Sequence, residues 1–250
     1  MPWLLLLILA QTPDPWIARG DSLHDAIQPV EALAAYREAL ALDSVHYGAL
    51  WRAARTQADV ARMLQGNARD TVALRDSLFT IAVAWARRAI AADSSGADGW
   101  FTLALSLGQL SRTKGGQERI RYGKDIYDAA ARALTLDPDH DGAHHVLGAW
   151  HAEVRRLSGF TRFIARTLLG GGYMGRAQWD SAVVHLEQAV AGRPEYVFHH
   201  LELAEIYVDA DRPTDAIGPL ERIPTLPDRD VLDPLYRARA AALLARLREP

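Results

Sequence analysis

Four segments of this 250-residue chain close in the same way, and that repetition restricts the fold more than any other feature. They are "REALALD" ending at Asp43, "RRAIAAD" at Asp93, "ARALTLD" at Asp137 and "LEQAVAGRP" at Pro194. Each has a helical period and is followed by a turn. The segments after the turns can be set in register from Leu50, Trp100, His144 and His200. Three residues on stand Ala53, Leu103, Leu147 and Leu203; four on, Ala54, Ala104, Gly148 and Ala204; seven on, Gln57, Leu107, His151 and Tyr207. One helical face is therefore written four times, with a small residue where a neighbouring helix must come close. The helices before the turns are in phase as well. Ala39, Ala89, Ala133 and Ala189 precede the turns by one distance, and Ala32, Ala82, Ile126 and Ala182 stand seven residues earlier, with Ala216 as the last equivalent. No stretch sustains a period of two, so the expected class is all-α: a solenoid of antiparallel helix pairs.

This succession of bulky, leucine, small and aromatic positions, with alanine landmarks and a proline after them, resembles the tetratricopeptide repeat. The match is closest in "HLELAEIYVDADRPTDAIGPLERIPTLP", where Arg193 to Pro227 spans the 34-residue period of that repeat. The other units run 50, 44 and 56 residues between their closing positions, which predicts lengthened helices or insertions. The tail from Asp230 to Glu249 is expected to be an amphipathic capping helix. It would turn Leu232, Leu235, Tyr236, Leu243, Leu244 and Leu247 to the array and Arg237, Arg239, Arg246 and Arg248 outward. The helical domain is set at residues 13–250.

The most enzyme-like stretch is "HDGAHHVLGAWH", with His140, His144, His145 and His151. His144 and His151 fall on packing slots that other units give to Leu50, Trp100, Leu107 and Tyr207. The pair at 144 and 145 recurs as His199 and His200. A catalytic zinc needs a third convergent ligand, and the spacing supplies none. HExxH, EF-hand and P-loop patterns are absent, and "GGGYMG" at 170–175 lacks the Lys-Ser/Thr of a phosphate loop, so it is read as a flexible loop. No serine sits in a nucleophile elbow, and no cysteine is present. The expectation is a non-enzymatic protein without cofactor or metal. A net charge of −3 and a pI near 6.3 supply no basic field, so nucleic acid is not an expected partner.

On the inner helices, the residues one, five, eight, nine and twelve after the register position face away from the packing seam. The first of these slots holds Trp51, Phe101, His145 and Leu201, and the twelfth holds Arg62, Arg112, Arg156 and Arg212. With Arg55 and Glu153 on the same face, these are the candidate groove residues. Each arginine follows an acid or amide by three residues, so the column is either a structural ladder of local pairs or a row of guanidinium forks for carboxylate or phosphate. In tetratricopeptide proteins the corresponding face lines a concave groove, and some of them hold acidic peptide ends with a clamp of Lys and Asn. The single asparagine here, Asn67, lies between helices, so that clamp is absent.

The longest unit carries a more specific likeness. Leu147, Gly148, Trp150, Val154, Leu157, Ser158, Ala165, Ala182 and Pro194 fall where the regulator of microtubule dynamics family has its LGxW helix, Leu-Ser-aromatic stretch, Ala-rich helix and proline landmark. The resemblance implies a helical adaptor, and in one branch of that family a groove that takes phospholipid; the Arg- and Ala-rich composition has a bacterial character. The same stretch has no acid between Glu153 and Asp180 but holds Arg155, Arg156, Arg162, Arg166 and Arg176 beside Leu157, Phe160, Phe163, Ile164 and Leu168. It is expected to be an extra helix buried by its apolar stripe, or a surface for anionic headgroups or an acidic partner. The leader "MPWLLLLILAQTPDP" has an apolar run from Trp3 to Ala10, too short to span a bilayer. It suits a signal peptide within residues 1–12, cleaved after Ala10, with export to the periplasm or medium; the alternative is an uncleaved N-terminal helix in a cytoplasmic protein. The expected function is a scaffold for a protein or peptide segment in a concave groove, the alternative being a carrier of lipid or amphiphile that uses the basic stretch 154–179.

Overall fold

The computed structural model describes residues 12–168 and 171–249; the apolar leader lies outside them. Twelve α-helices and two 3-10 turns make up the described residues, with no strand among them. Five antiparallel pairs follow one another: α1 (Asp14–Asp25) with α2 (Pro29–Leu42), α3 (Tyr47–Met63) with α4 (Arg69–Ala92), α5 (Ala97–Ser111) with α6 (Gly116–Leu136), α7 (Asp141–Arg156) with α9 (Trp179–Gly192), and α10 (Val197–Asp209) with α11 (Ile217–Arg222). The first helices of successive pairs also touch one another and form an inner layer. The insertion α8 (Gly159–Leu168) accounts for the 56-residue unit, and α12 (Asp233–Arg248) closes the array. None of the described helices is long and apolar enough to cross a membrane.

The shared aspartates at the turns have a common job. Asp43, Asp93 and Asp137 each take an extended conformation at a helix C-cap. Their Oδ1 atoms accept from the amides two residues on, at 3.0, 2.9 and 3.2 Å. These are Asx turns, which stop the helix and reverse the chain. The following helices α3 and α7 both start on a histidine cap: Nδ1 of His46 accepts from the Ala49 amide at 3.3 Å, and Nδ1 of His140 from the Ala143 amide at 3.2 Å.

The in-phase small residues sit where the register put them. Ala54, Ala104 and Ala204 are fully buried, as are Ala39, Ala89, Ala133 and Ala189 on the outer helices. At Gly148 the approach is closest: a Cβ there would lie 1.7 Å from a Leu186 methyl and 3.0 Å from the Ala182 carbonyl. Gly148→Ala is therefore expected to cost about 1–3 kcal/mol by overpacking, read from the urea midpoint. An unchanged midpoint would show that α7 and α9 can slide apart.

The pair α1/α2 adds an inner helix that the four-fold register did not include. Gly20 lies beneath Tyr36, whose hydroxyl donates to Asp21 at 2.7 Å. Trp16, Gly20 and Leu23 repeat the spacing of Trp100, Ala104 and Leu107, so the signal was present in a short segment without a preceding turn.

Three expectations are corrected. The segment from Gly172 to Arg176 is an ordered 3-10 turn rather than a flexible loop. Met174 is 5% exposed, and the Tyr173 hydroxyl donates to the Ile120 carbonyl, so apolar burial outweighs the glycine content. The α8 helix exists, but Phe163 is 61% exposed rather than buried; the side chains of Phe160, Ile164, Arg166 and Leu168 lie outside the description. On α12, Tyr236, Ala240 and Leu243 are buried and Leu232, Leu244 and Leu247 pack against the same core, whereas Leu235 is 45% exposed. Arg237 turns inward to the Ile223 and Leu226 carbonyls instead of facing solvent.

Candidate functional site: a central cavity

The inner helices curve around a cavity of about 630 Å³. Its apolar lining comes from the middle units and the 3-10 turn: Phe101, Ile120, Val146, Trp150 and Met174. Trp150 is anchored there by an indole N–H donated to the Gly123 carbonyl at 2.7 Å and packs on Tyr127 with ring centroids 4.7 Å apart. The polar lining comes from units along the whole array and includes Arg55, Arg62, Arg112, His145, Arg193 and Glu202. Such a cavity has the size and mixed lining of a ligand site.

The second helix pair and the C-terminal cap meet across this cavity. Arg62 of α3 donates to Asp59 and to Asp230 at 2.7 Å each, and to the Tyr236 hydroxyl at 3.0 Å. Tyr196 donates to the same Asp230 oxygen at 2.7 Å. The three ionic side chains are 13%, 14% and 6% exposed, so this is a buried cluster joining residues 168 positions apart. Burial works against the charges, but Asp59 and Asp230 outweigh it and hold the Arg62 pKa above its ordinary value. Burial likewise opposes the Asp230 carboxylate; Arg62, the Leu232 amide and the Tyr196 hydroxyl overcome it and hold its pKa low.

The histidines form two hydrogen-bonded strings whose tautomers follow from their partners. His199 Nε2 lies 3.1 Å from the Asp141 carboxylate and so carries the proton; its Nδ1 then accepts from His145 Nδ1 at 2.9 Å. His144 Nε2 donates to the Pro138 carbonyl at 2.9 Å, so its Nδ1 accepts from His185 Nδ1 at 2.9 Å. His151 Nδ1 accepts from the Gln178 amide, and His200 donates to the Pro194 carbonyl. Among the described residues no group of three or more His, Asp or Glu is arranged to hold a metal.

Burial lowers the pKa of His145, His151, His199 and His200, and burial with His144 and His151 alongside takes His185 down to about 4. The unfolded chain, with ordinary histidines near 6.5, binds more protons than the folded one below that pH, so stability falls with acidification. Asp141 adds to the loss at the acid end: burial pushes its carboxyl up, His199 more than reverses this, and at about 2 it stays ionised while the aspartate of the unfolded chain begins to take up protons near pH 4. Stability is expected to decline from pH 7 toward pH 4. His185→Asn should reduce the slope by up to about 1.4 kcal/mol per pH unit. Chemical denaturation at half-unit pH steps checks this, and parallel curves for the two proteins would sink it.

The family model of regulator of microtubule dynamics protein 1-3 matches residues 16–248. The chain belongs to that family. The thermophilic tetratricopeptide protein TTC0263 of Thermus thermophilus is similar in structure, with a TM-score of 0.62 and 20% identity over 94% of this chain and 100% of that one. A MamA segment from Desulfovibrio magneticus RS-1 superposes with a TM-score of 0.48 and 13% identity over 86% and 94%. Among curated proteins none matches. The fold of this regulator-of-microtubule-dynamics member is thus of the tetratricopeptide type.

The family member's candidate groove residues divide. Arg55, Arg62, Phe101, Arg112, His145 and Glu153 line the cavity. Phe101 stands over Gly142 and against the His140 ring at 4.6 Å. Four of the candidates lie elsewhere. Trp51 is half-buried between Arg52 and Arg55, 4.2 and 5.2 Å from its ring. Leu201 is fully buried in the core shared with Tyr236, Ala240 and Leu243, because α12 covers the last inner helix. Arg156 bridges repeats, reaching Glu153 at 3.1 Å and Asp209 at 2.6 Å. Arg212 does not pair with Asp209: α10 ends at Asp209, Asp211 takes φ 63°, and Arg212 turns to Asp215 at 2.7 Å and to the Tyr207 ring. The register also missed Arg193, Tyr196, Phe198 and Asp230, which reach the cavity from the turn after α9, the start of α10 and the segment before α12. Their only sequence signal was position beside a helix end.

Proposed function

We propose that this chain is a non-enzymatic scaffold that holds a segment of a partner protein in its central cavity. The observation that carries this is the mixed lining, which sets apolar surface for side chains at Phe101 and Trp150 beside hydrogen-bonding groups for a backbone. The test uses the full chain as bait against its own proteome, with native mass spectrometry of the purified protein. A captured protein whose binding is weakened about ten-fold by Phe101→Ala, close to 1.4 kcal/mol, supports the reading. Capture indifferent to Phe101→Ala overturns it.

The second reading is a carrier of an amphiphile. It is favoured by α8, where Phe163 is exposed in a stretch without acids, and by Leu157 and Thr161, which connect that stretch to the cavity wall. A co-purifying mass that fragments as a lipid would replace the first reading with this one. Export is part of the proposal: N-terminal sequencing of the mature protein should begin at Gln11, and a chain that keeps Met1 counts against it.

A further inference from the structure

Most deep carboxylates on the cavity wall are already engaged: Asp59 and Asp230 by Arg62, Asp141 by His199, and Glu153 by Arg119 and Arg156. Four arginines on the same wall, Arg55, Arg112, Arg193 and Arg229, have no such partner among the described residues, and Arg55 is the one whose Nε is buried without a partner. Arg55 of α3 and Arg193, in the turn after α9, both line the cavity, and among the described residues neither guanidinium has a carboxylate within 4 Å or a hydrogen-bond acceptor. Each is held only against a ring, Arg55 at 5.2 Å from Trp51 and Arg193 at 4.6 Å from Tyr196. The buried cluster brings them to one region: Tyr196, against which Arg193 lies, donates to Asp230, and Asp230 pairs with Arg62, two turns along α3 from Arg55. A buried guanidinium without an acceptor is costly, and two around one space leave room for a shared anion.

We infer that Arg55 and Arg193 form an anion subsite at the seam of the closed array, which takes a carboxylate of the bound peptide segment. The inference rests on the peptide-scaffold reading. It adds that the segment is acidic, and that its carboxylate ties the second helix pair to the turn before the last pair.

The probes are acetylated Phe-Glu-Glu-Phe amide and its Phe-Gln-Gln-Phe counterpart, titrated calorimetrically into the full chain. The acidic peptide is expected to bind about ten-fold tighter or better, as charge-assisted hydrogen bonds would give. Arg55→Gln and Arg193→Gln should each remove that preference. Arg239→Gln, which breaks an exposed pair with Glu205, should leave it intact. Equal affinity for the two peptides, or a preference that survives in the double variant, overturns the inference while leaving the scaffold reading standing. Should neither peptide bind, thermal shifts with succinate against chloride at matched ionic strength decide. A rise in melting temperature that the double variant lacks sustains the anion subsite and sinks the peptide scaffold, and no rise sinks both. Tighter, Arg55-dependent binding of dodecyl phosphate than of the acidic peptide would overturn the peptide as the source of the anion. Arg55→Lys and Arg193→Lys, which keep the charge, should retain part of the preference and so separate lost recognition from misfolding.

Discussion

Arg62→Ala is expected to lower the free energy of unfolding by about 3–5 kcal/mol, because removing one partner of a buried ionic cluster leaves the others uncompensated. Asp59 and Asp230 would remain among groups that are at most 14% exposed, and the Tyr236 hydroxyl would lose its donor. The loss should depend on pH. Asp230 is ionised in the folded protein below its ordinary range because Arg62 faces it, so in the variant its pKa rises and the penalty shrinks as the pH falls. Adding Asp230→Asn to Arg62→Ala should recover part of the stability by removing an orphaned charge. Urea denaturation of the three proteins at pH 7 measures this. A loss below about 1 kcal/mol, the range of an exposed pair, would mean that the second helix pair and the C-terminal cap do not meet in solution. Small-angle scattering then offers a second readout, since an opened array is longer than a closed one.

Trp150→Ala should be comparably severe, at about 3–5 kcal/mol for a large aromatic truncated in a core. Trp150 is 5% exposed, lies between Tyr127 and Tyr173, and satisfies the Gly123 carbonyl. Its removal joins an apolar void to the central cavity and leaves that carbonyl without its donor. Trp51→Ala makes the contrast, because Trp51 is half-buried and held by two arginines away from the cavity. Equal losses at the two tryptophans would show that the core around α5, α6 and α7 tolerates the void. A smaller loss at Trp150 than at Trp51 would contradict the described packing altogether.

Both substitutions address features that differ in how far they can be read from the chain. Trp150 belongs to an in-phase helix whose landmarks Leu147 and Gly148 were visible in the register, and its burial follows from a helical period. Arg62 was visible as one of four arginines in a column, but the column does not behave as one object. Arg62 is locked in a buried cluster, Arg156 bridges two repeats, Arg212 has left its helix, and Arg112 lines the cavity at the C-cap of α5. Identical spacing set these residues at equivalent places on their helices. It said nothing about the helix ends and neighbours that decide their partners.

The histidines teach the same lesson in the other direction. His140 and His46 cap helices, a local role carried by the turn before each helix. His145 meets His199 across 54 residues and His144 meets His185 across 41, pairings that a register of inner helices alone does not contain. The likeness of the 144/145 and 199/200 pairs was legible, whereas the Asp141–His199–His145 string was not.

By itself the sequence determined the helices, their pairing and the faces they bury, because period, small residues at close approaches and Asx turns act within one unit or between adjacent units. The tertiary structure alone decided that the array curls far enough for α3 to meet the segment before α12, making a central cavity lined from both. Curvature is the sum of small rotations at every helix contact, including those made by the long α4 and α6 and the inserted α8. A residue's local pattern cannot report that sum, so Asp230 and Arg193 became visible as part of the site only once the second helix pair and the cap had come together.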